Sequence, residues 1–347
     1  MKKLLLKLIV AIFGFSVGFS SPKSILQDRV GAATLPLFDQ KRERPVQVEL
    51  WYPLIEEKEL DLHPLQDYWI YPQECRDAYF PEELGKRPLI IFSHGFMGDR
   101  RDRSWFAERL VQKGYIVASV EHHGGSWQIT HPQLASRIWD RPLDVSFVLD
   151  TLLHDPLWGH HIDETKIGFS GYSLGGVTGL LLSGAKILAK EDYKNVLREL
   201  FATTEFPEKL VAAILKDLCY PDEKLSYYDP RISCYYLMAP SCLGVEPKSL
   251  PQITKPFEII SLEKDPVLAE LEPASYSGSS FFSLIKNARI SHLAEGASHY
   301  IFINEATPLG EQELPSKLYQ EEGVDRKEIH NQVAEIGLNF FESSFSF

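Results

Sequence analysis

The sequence predicts an α/β fold with a mostly parallel central sheet and helices on both faces. Two patterns predict it. Short apolar runs rich in β-branched and aromatic residues alternate with helical stretches over most of the chain, as in a sheet buried on both sides. A Gly-Tyr-Ser-Leu-Gly pentapeptide also lies between one such run and an apolar helix, where a tight strand-to-helix turn is expected. Length and composition agree. The chain has 347 residues, 44% hydrophobic and 24% charged, within the range of one large globular α/β unit. The formal net charge is −12. A nucleic-acid binder of this size would carry a basic excess, so no nucleic-acid partner is expected.

Residues 1–20 open with Lys2, Lys3 and Lys7 and continue apolar from Leu8 to Phe19, with Gly18 and Ser20 as small residues at the end. A basic start, an apolar run of this length and small closing residues predict a secretory signal peptide. The chain is therefore expected to be exported, periplasmic or extracellular, with 21–347 as a single domain. Cleavage after Ser20 removes lysines and no acids, leaving a still more acidic protein. An exported chain can form disulfides. Cys75, Cys219, Cys234 and Cys242 are expected as one or two structural bridges or as buried thiols. None forms a CxxC pair or a zinc-spaced Cys/His cluster, so no metal and no cofactor is expected.

The elements follow in order. Arg29–Phe38 reads as a weak strand, and Val46–Tyr52, with its alternating VQVELWY, as a clear one. Residues 53–86 lack periodicity and read as an irregular insertion. Pro88–Ser93 and Tyr115–Val120 are buried strands, separated by a helix over Arg103–Lys113 that Gly114 stops. A helix follows at Asp144–Leu153, then a strand at Lys166–Ser170 and a helix at Leu174–Leu182. Strands at Ile232–Met238, Pro256–Ser261 and Ile290–Leu293 and a helix at Glu328–Phe341 close the chain. About 45 residues at 186–231 form a helical insertion after the Leu174 helix. Its two stretches, Glu191–Phe201 and Pro207–Leu218, each carry one apolar stripe. Packing against the body is the expected role of these stripes. The alternative is a lid, or peripheral contact with lipid aggregates.

The chemistry is expected at Gly171-Tyr172-Ser173-Leu174-Gly175, with a third glycine at 176. A sharp turn there strains the serine backbone and lifts its hydroxyl above the sheet, and the flanking glycines leave room for the turn. Ser173 is the expected nucleophile. It needs a base, and with an acid and a histidine following in that order the candidates narrow. His330 falls inside the closing helix and reads as a surface residue. His292 falls inside the last strand. His299, in a Gly-Ala-Ser-His-Tyr loop just past that strand, is the expected base. The acid belongs after the Pro256–Ser261 strand, where Asp265 is expected to orient the His299 ring, with Glu263 the rival. Asp229 precedes its strand and is excluded. The oxyanion donors are expected to be the backbone N–H groups of Leu174 and of Phe96, in the Ser93-His94-Gly95-Phe96 turn. His94 is read as structural. His122 and His123, past the Tyr115 strand, and Tyr172 are expected to line the rim and touch substrate. His154, His160, His161 and Asp163 have no compact metal spacing and read as loop residues.

These residues resemble the α/β-hydrolase superfamily, and more narrowly the platelet-activating-factor acetylhydrolase group with its bacterial relatives labelled as dienelactone hydrolases. The resemblance runs from Val48–Pro53 (VELWYP) through Phe92–Gly95 (FSHG) and Arg141–Leu152 (RPLDVSFVLDTL) to Gly296–Phe302 (GASHYIF) and Val324–His330 (VDRKEIH); the elbow and histidine motifs are shared by the whole superfamily, and WYP, FSHG and RPLD narrow it. It implies a secreted serine esterase that removes short or oxidised acyl chains from small-molecule or lipid esters, including the sn-2 acyl group of phospholipids. Two departures stand out. Dienelactone hydrolases proper use a cysteine where this chain has Ser173. Acetylhydrolases commonly flank the serine with His and Phe, where this chain has Tyr172 and Leu174. A small-ester or polyester carboxylesterase and an acyltransferase are the alternatives.

Overall fold

The computed structural model describes residues 24–27, 29–55, 67–202, 208–222, 225–262, 265, 267–268, 279–293 and 296–346. Residues 1–20, read above as a signal peptide, and Glu263 lie outside the described residues. Nine strands form one sheet in the order β3-β1-β2-β5-β4-β6-β7-β8-β9. They are β1 Val30–Asp39, β2 Arg44–Tyr52, β3 Glu74–Arg76, β4 Arg87–Ser93, β5 Ile116–Glu121, β6 Ile162–Tyr172, β7 Ile232–Met238, β8 Phe257–Leu262 and β9 Ala288–Leu293. From β5 through β9 every neighbouring pair is parallel, while β2 runs antiparallel to both β1 and β5.

Alternation along the central strands divides the core in two. Ile90 and Phe92 of β4 point to one face, Leu89 and Ile91 to the other. On the first face lie α1 (Ser104–Gln112) and α6 (Arg326–Phe345), through Phe106, Leu110, Val333 and Phe341. On the second lie α2 (Asp140–His154) and α3 (Leu174–Leu182), through Val145, Leu149, Val177 and Leu181. All these side chains are fully buried, which is why β4, β6 and β7 read as continuous apolar runs rather than alternating ones. The insertion contains α4 (Lys190–Ala202) and α5 (Glu208–Lys216).

Several elements differ from expectation. The first strand is a full ten-residue hairpin partner of β2, in register from Gly31–Tyr52 to Asp39–Arg44. Asp39 closes that hairpin by accepting from the backbone N–H groups of Lys41 and Arg42, turn chemistry that a hydrophobicity pattern does not register. The segment at 53–86 is not wholly irregular, since β3 adds to β1 within it. The second helix starts at Asp140, four residues early, so the RPLD motif is its first turn. Cys75, Cys234 and Cys242 are buried and Cys219 is exposed. Burial pushes the Cys234 thiol up to about 12.

His330 corrects a further expectation, for it is not a surface residue. It is buried, its ring stacks on Trp105 of α1 at 3.9 Å, and its Nε2–H donates to the Ile301 carbonyl at 2.7 Å. Burial pulls its pKa down to about 3, so the ring is neutral in the fold. Below pH 6.5 the unfolded chain takes up a proton at this histidine and the folded one does not. Stability is therefore lost as pH falls, by about 1.4 kcal/mol per pH unit for this group. Urea unfolding at pH 7 and pH 5 should show the wild-type chain losing about 2 kcal/mol more over that interval than His330→Gln. Equal losses would mean that His330 is charged in the folded state.

Candidate active site

Ser173, Asp265 and His299 all follow the carboxyl ends of parallel strands, after β6, β8 and β9, where ligand sites of open α/β sheets form. Ser173 sits between β6 and α3 with φ +52° and ψ −118°, a conformation side chains rarely adopt. The surroundings enforce it. A Cβ on Gly171 would collide with the Gly175 carbonyl, and a Cβ on Gly175 with the carbonyl of Ser93. The Ser173 N–H donates to Met238 O at 3.0 Å, and its carbonyl accepts from Gly176 at 2.7 Å and Ser241 at 2.9 Å.

The His299 Nε2 lies 3.0 Å from Ser173 Oγ, and its Nδ1 lies 2.6 Å from Asp265 Oδ2. The other Asp265 oxygen accepts from the Leu268 N–H at 3.0 Å. This fixes the carboxylate, which in turn selects the His299 tautomer with the free Nε2 lone pair facing the serine. The His299 turn is held from three sides. Tyr172 donates to the His299 carbonyl at 3.0 Å, Ser298 donates its N–H to Glu321 at 2.7 Å, and His330 holds Ile301. Arg326 pairs with the same Glu321 at 2.6 Å. His292 is exposed on β9.

The loop after β4 is braced from below. The Arg103 guanidinium donates to the Ser93 carbonyl at 3.0 Å. Arg141 donates to the His94 carbonyl and to Thr178 Oγ1. The His94 Nδ1–H donates to Gly95 O at 2.7 Å, while its Nε2 accepts the His122 N–H at 3.1 Å, so His94 is structural. Met97 N–H reaches Gly125 O, and Trp127 N–H reaches Gly98 O, tying this loop to the one after β5. Phe96 and Leu174, the expected oxyanion donors, line one cavity together with Ser173.

His122 is a correction. It does not line the rim but lies fully buried, its Nδ1 3.0 Å from Asp144 and its Nε2 2.9 Å from Ser93 Oγ. Burial and the nearby Arg141 cation pull it down to about 3, so it is neutral. Burial alone would raise Asp144, but hydrogen bonds from His122 and Arg44 hold it below the ordinary carboxylate range. Arg44 reaches Asp144 through Nε at 2.8 Å and Nη2 at 3.0 Å. Burial lowers Arg141 to about 9, still cationic at neutral pH. The RPLD motif thus supplies Arg141 and Asp144 to the underside of the β4 loop, a role sequence reasoning missed. His123 is half-buried and, like His122, lines neither cavity at Ser173.

Two cavities open on Ser173 and share Phe96. One encloses about 130 Å³ of almost wholly apolar surface between Leu174, Ile138, Leu243 and α4. The other, about 340 Å³, is lined by Tyr172, His299, Tyr300, Trp69, Trp127, Asp99 and Asp102 among others. Tyr172 therefore faces a cavity, whereas the two histidines do not. Phe96 and Trp127 are 48% and 53% exposed at the mouth.

The family model for platelet-activating factor acetylhydrolase, isoform II, matches residues 71–138, which hold the β4 loop but stop short of Ser173. A Bacillus subtilis protein described as "Putative esterase YitV" is 26% identical over 161 residues, 40% of this chain. The chain spans 63% of that relative's length. A ferulic acid esterase from Streptomyces cinnamoneus superposes with a TM-score of 0.60 at 17% identity, over 92% of this chain and 90% of its own. That likeness is one of fold, and the fold is the α/β-hydrolase fold.

Arg141→Lys keeps the charge but cannot bridge the His94 carbonyl and Thr178 together. On the ester-hydrolase reading proposed below, kcat should fall about 10- to 100-fold with KM within a few-fold, the signature of a β4 loop displaced from Ser173. A variant with unchanged kcat would remove Arg141 from any part in the site.

Proposed function

We propose that this chain is a serine carboxylic-ester hydrolase acting through an acyl-enzyme. The observation that carries the reading is the hydrogen-bonded run from Asp265 through His299 to Ser173, with Ser173 raised on a strained turn between β6 and α3. In this reading His299 takes the Ser173 proton as Oγ attacks the ester carbonyl. The Phe96 and Leu174 amides hold the oxyanion, and Asp265 steadies the imidazolium. His299 then passes the proton to the leaving alcohol. Water repeats the sequence on the acyl-serine and restores the enzyme. The N-terminal pattern of residues 1–20 supports action outside the cytoplasm.

The substrates proposed are short-chain acyl esters. A second reading, removal of the sn-2 acyl group of phospholipids, is favoured by the exposed Phe96, Met97, Trp127 and Ile129 around the mouth, a face suited to lipid aggregates. Against it, the larger cavity carries Asp99 and Asp102 and, among its described lining residues, no lysine or arginine. Asp102 is paired with Arg103 at 3.3 Å and burial pushes its pKa up to about 7, so Asp99 is the acidic group a phosphate would meet there, which favours esters of uncharged alcohols.

A fluorophosphonate probe should label the wild-type chain, and Ser173→Ala should abolish labelling while leaving the thermal midpoint in place. His299→Gln should slow p-nitrophenyl acetate hydrolysis by at least about 10³-fold. A folded wild-type chain that takes no label would sink the proposal.

A further inference from the structure

The two cavities at Ser173 are unequal in chemistry, and only one of them contains the base. When an ester is attacked, the bond from Ser173 Oγ to the acyl carbon forms. The acyl–alkoxy bond then breaks, and the proton first taken by His299 passes to the alkoxide. The departing alcohol must therefore lie on the His299 side of Ser173. His299 lines the larger cavity and is not part of the smaller one. The acyl chain is left to the smaller cavity, which is apolar enough to take it.

The far wall of that smaller cavity belongs to the insertion. Tyr193, Leu197, Leu200 and Phe201 of α4 face Ile138 and Leu243 across it. The wall is fixed in place. Tyr193 donates its hydroxyl to the Ser136 carbonyl at 2.6 Å, and its ring meets Trp139 edge-on at 5.7 Å. Leu197 is buried and Leu200 half-buried on the same helix face. Resting on the esterase reading above, we infer that α4 is the acyl-binding wall and that Leu197 and Leu200 set the length of acyl chain the enzyme accepts. The apolar stripe of this helix thus serves the substrate as well as the body. A cavity of about 130 Å³ is on the scale of an apolar cavity of ~150 Å³ that holds benzene. It suits an acyl tail of about four to six carbons, each fitting methylene being worth about fourfold in kcat/KM.

The test holds the alcohol constant and varies the acid: kcat/KM for p-nitrophenyl acetate, butyrate, hexanoate, octanoate and decanoate, on the full chain and three variants. Leu197→Ala opens the wall at its centre and should move the optimum about two to three carbons longer. Leu200→Ala, at a less buried position, should move it the same way and covers the case in which Leu197→Ala folds poorly. Leu318→Ala, in the larger cavity, should change rates without moving the optimum. An optimum that stays put in both α4 variants, or that moves in Leu318→Ala instead, overturns the assignment. Failure of the wild-type chain to hydrolyse any of the five esters overturns the esterase reading beneath it, and the two failures are distinguished by that control.

Discussion

The approach on which the site depends is between backbones. Gly175, at the start of α3, presses against the carbonyl of Ser93 at the end of β4, so closely that a Cβ would not fit. This contact sets the start of α3, with Ser173 just before it, against the end of β4. It also explains why the Ser173 conformation can be strained and still hold. The Met238 carbonyl, the Gly176 and Ser241 amides and the packed glycines over-determine it, so the strain of order 1–3 kcal/mol is spread over the interior of the sheet. Everything functional in the chain is placed relative to that junction.

Beneath it lies a buried polar chain that runs Arg44–Asp144–His122 and on to Ser93, with Arg141 alongside. Buried ionic groups tolerate this only when every partner is present. Here each ionic member has at least two. The arrangement converts the position of α2 into the position of the β4 loop. Burial and the Arg141 cation keep His122 neutral within it, against the pull of Asp144 at Nδ1.

Legibility in the sequence followed locality. The elbow at Ser173 could be read because glycine, serine and glycine must stand at fixed offsets for one turn to form. His299 and Asp265 could be read because chain order on a parallel sheet puts their loops at one end, and the structure brings both within hydrogen-bond distance of the chain to Ser173. His122 and His330 were misread because a histidine's neighbours, not its element, decide whether it faces water. Trp105 lies more than two hundred residues from the His330 it covers. Arg141 stood within a recognisable motif, yet nothing local shows that its guanidinium ends on the His94 carbonyl. The stripe on α4 announced a buried face, but a stripe does not say whether it meets protein or an empty cavity.

The bracing of the His299 turn by α6 has a consequence for how the molecule comes into being. Ser173, its glycines and the β4 loop draw their partners from residues no later than Ser241, just past β7. The base is not, because its turn leans on Glu321, Arg326 and His330, all of which emerge afterwards. Domains generally fold as units, and in this one the setting of His299 waits on the last helix. The geometry between His299 and Ser173 is thereby coupled to the completion of the fold.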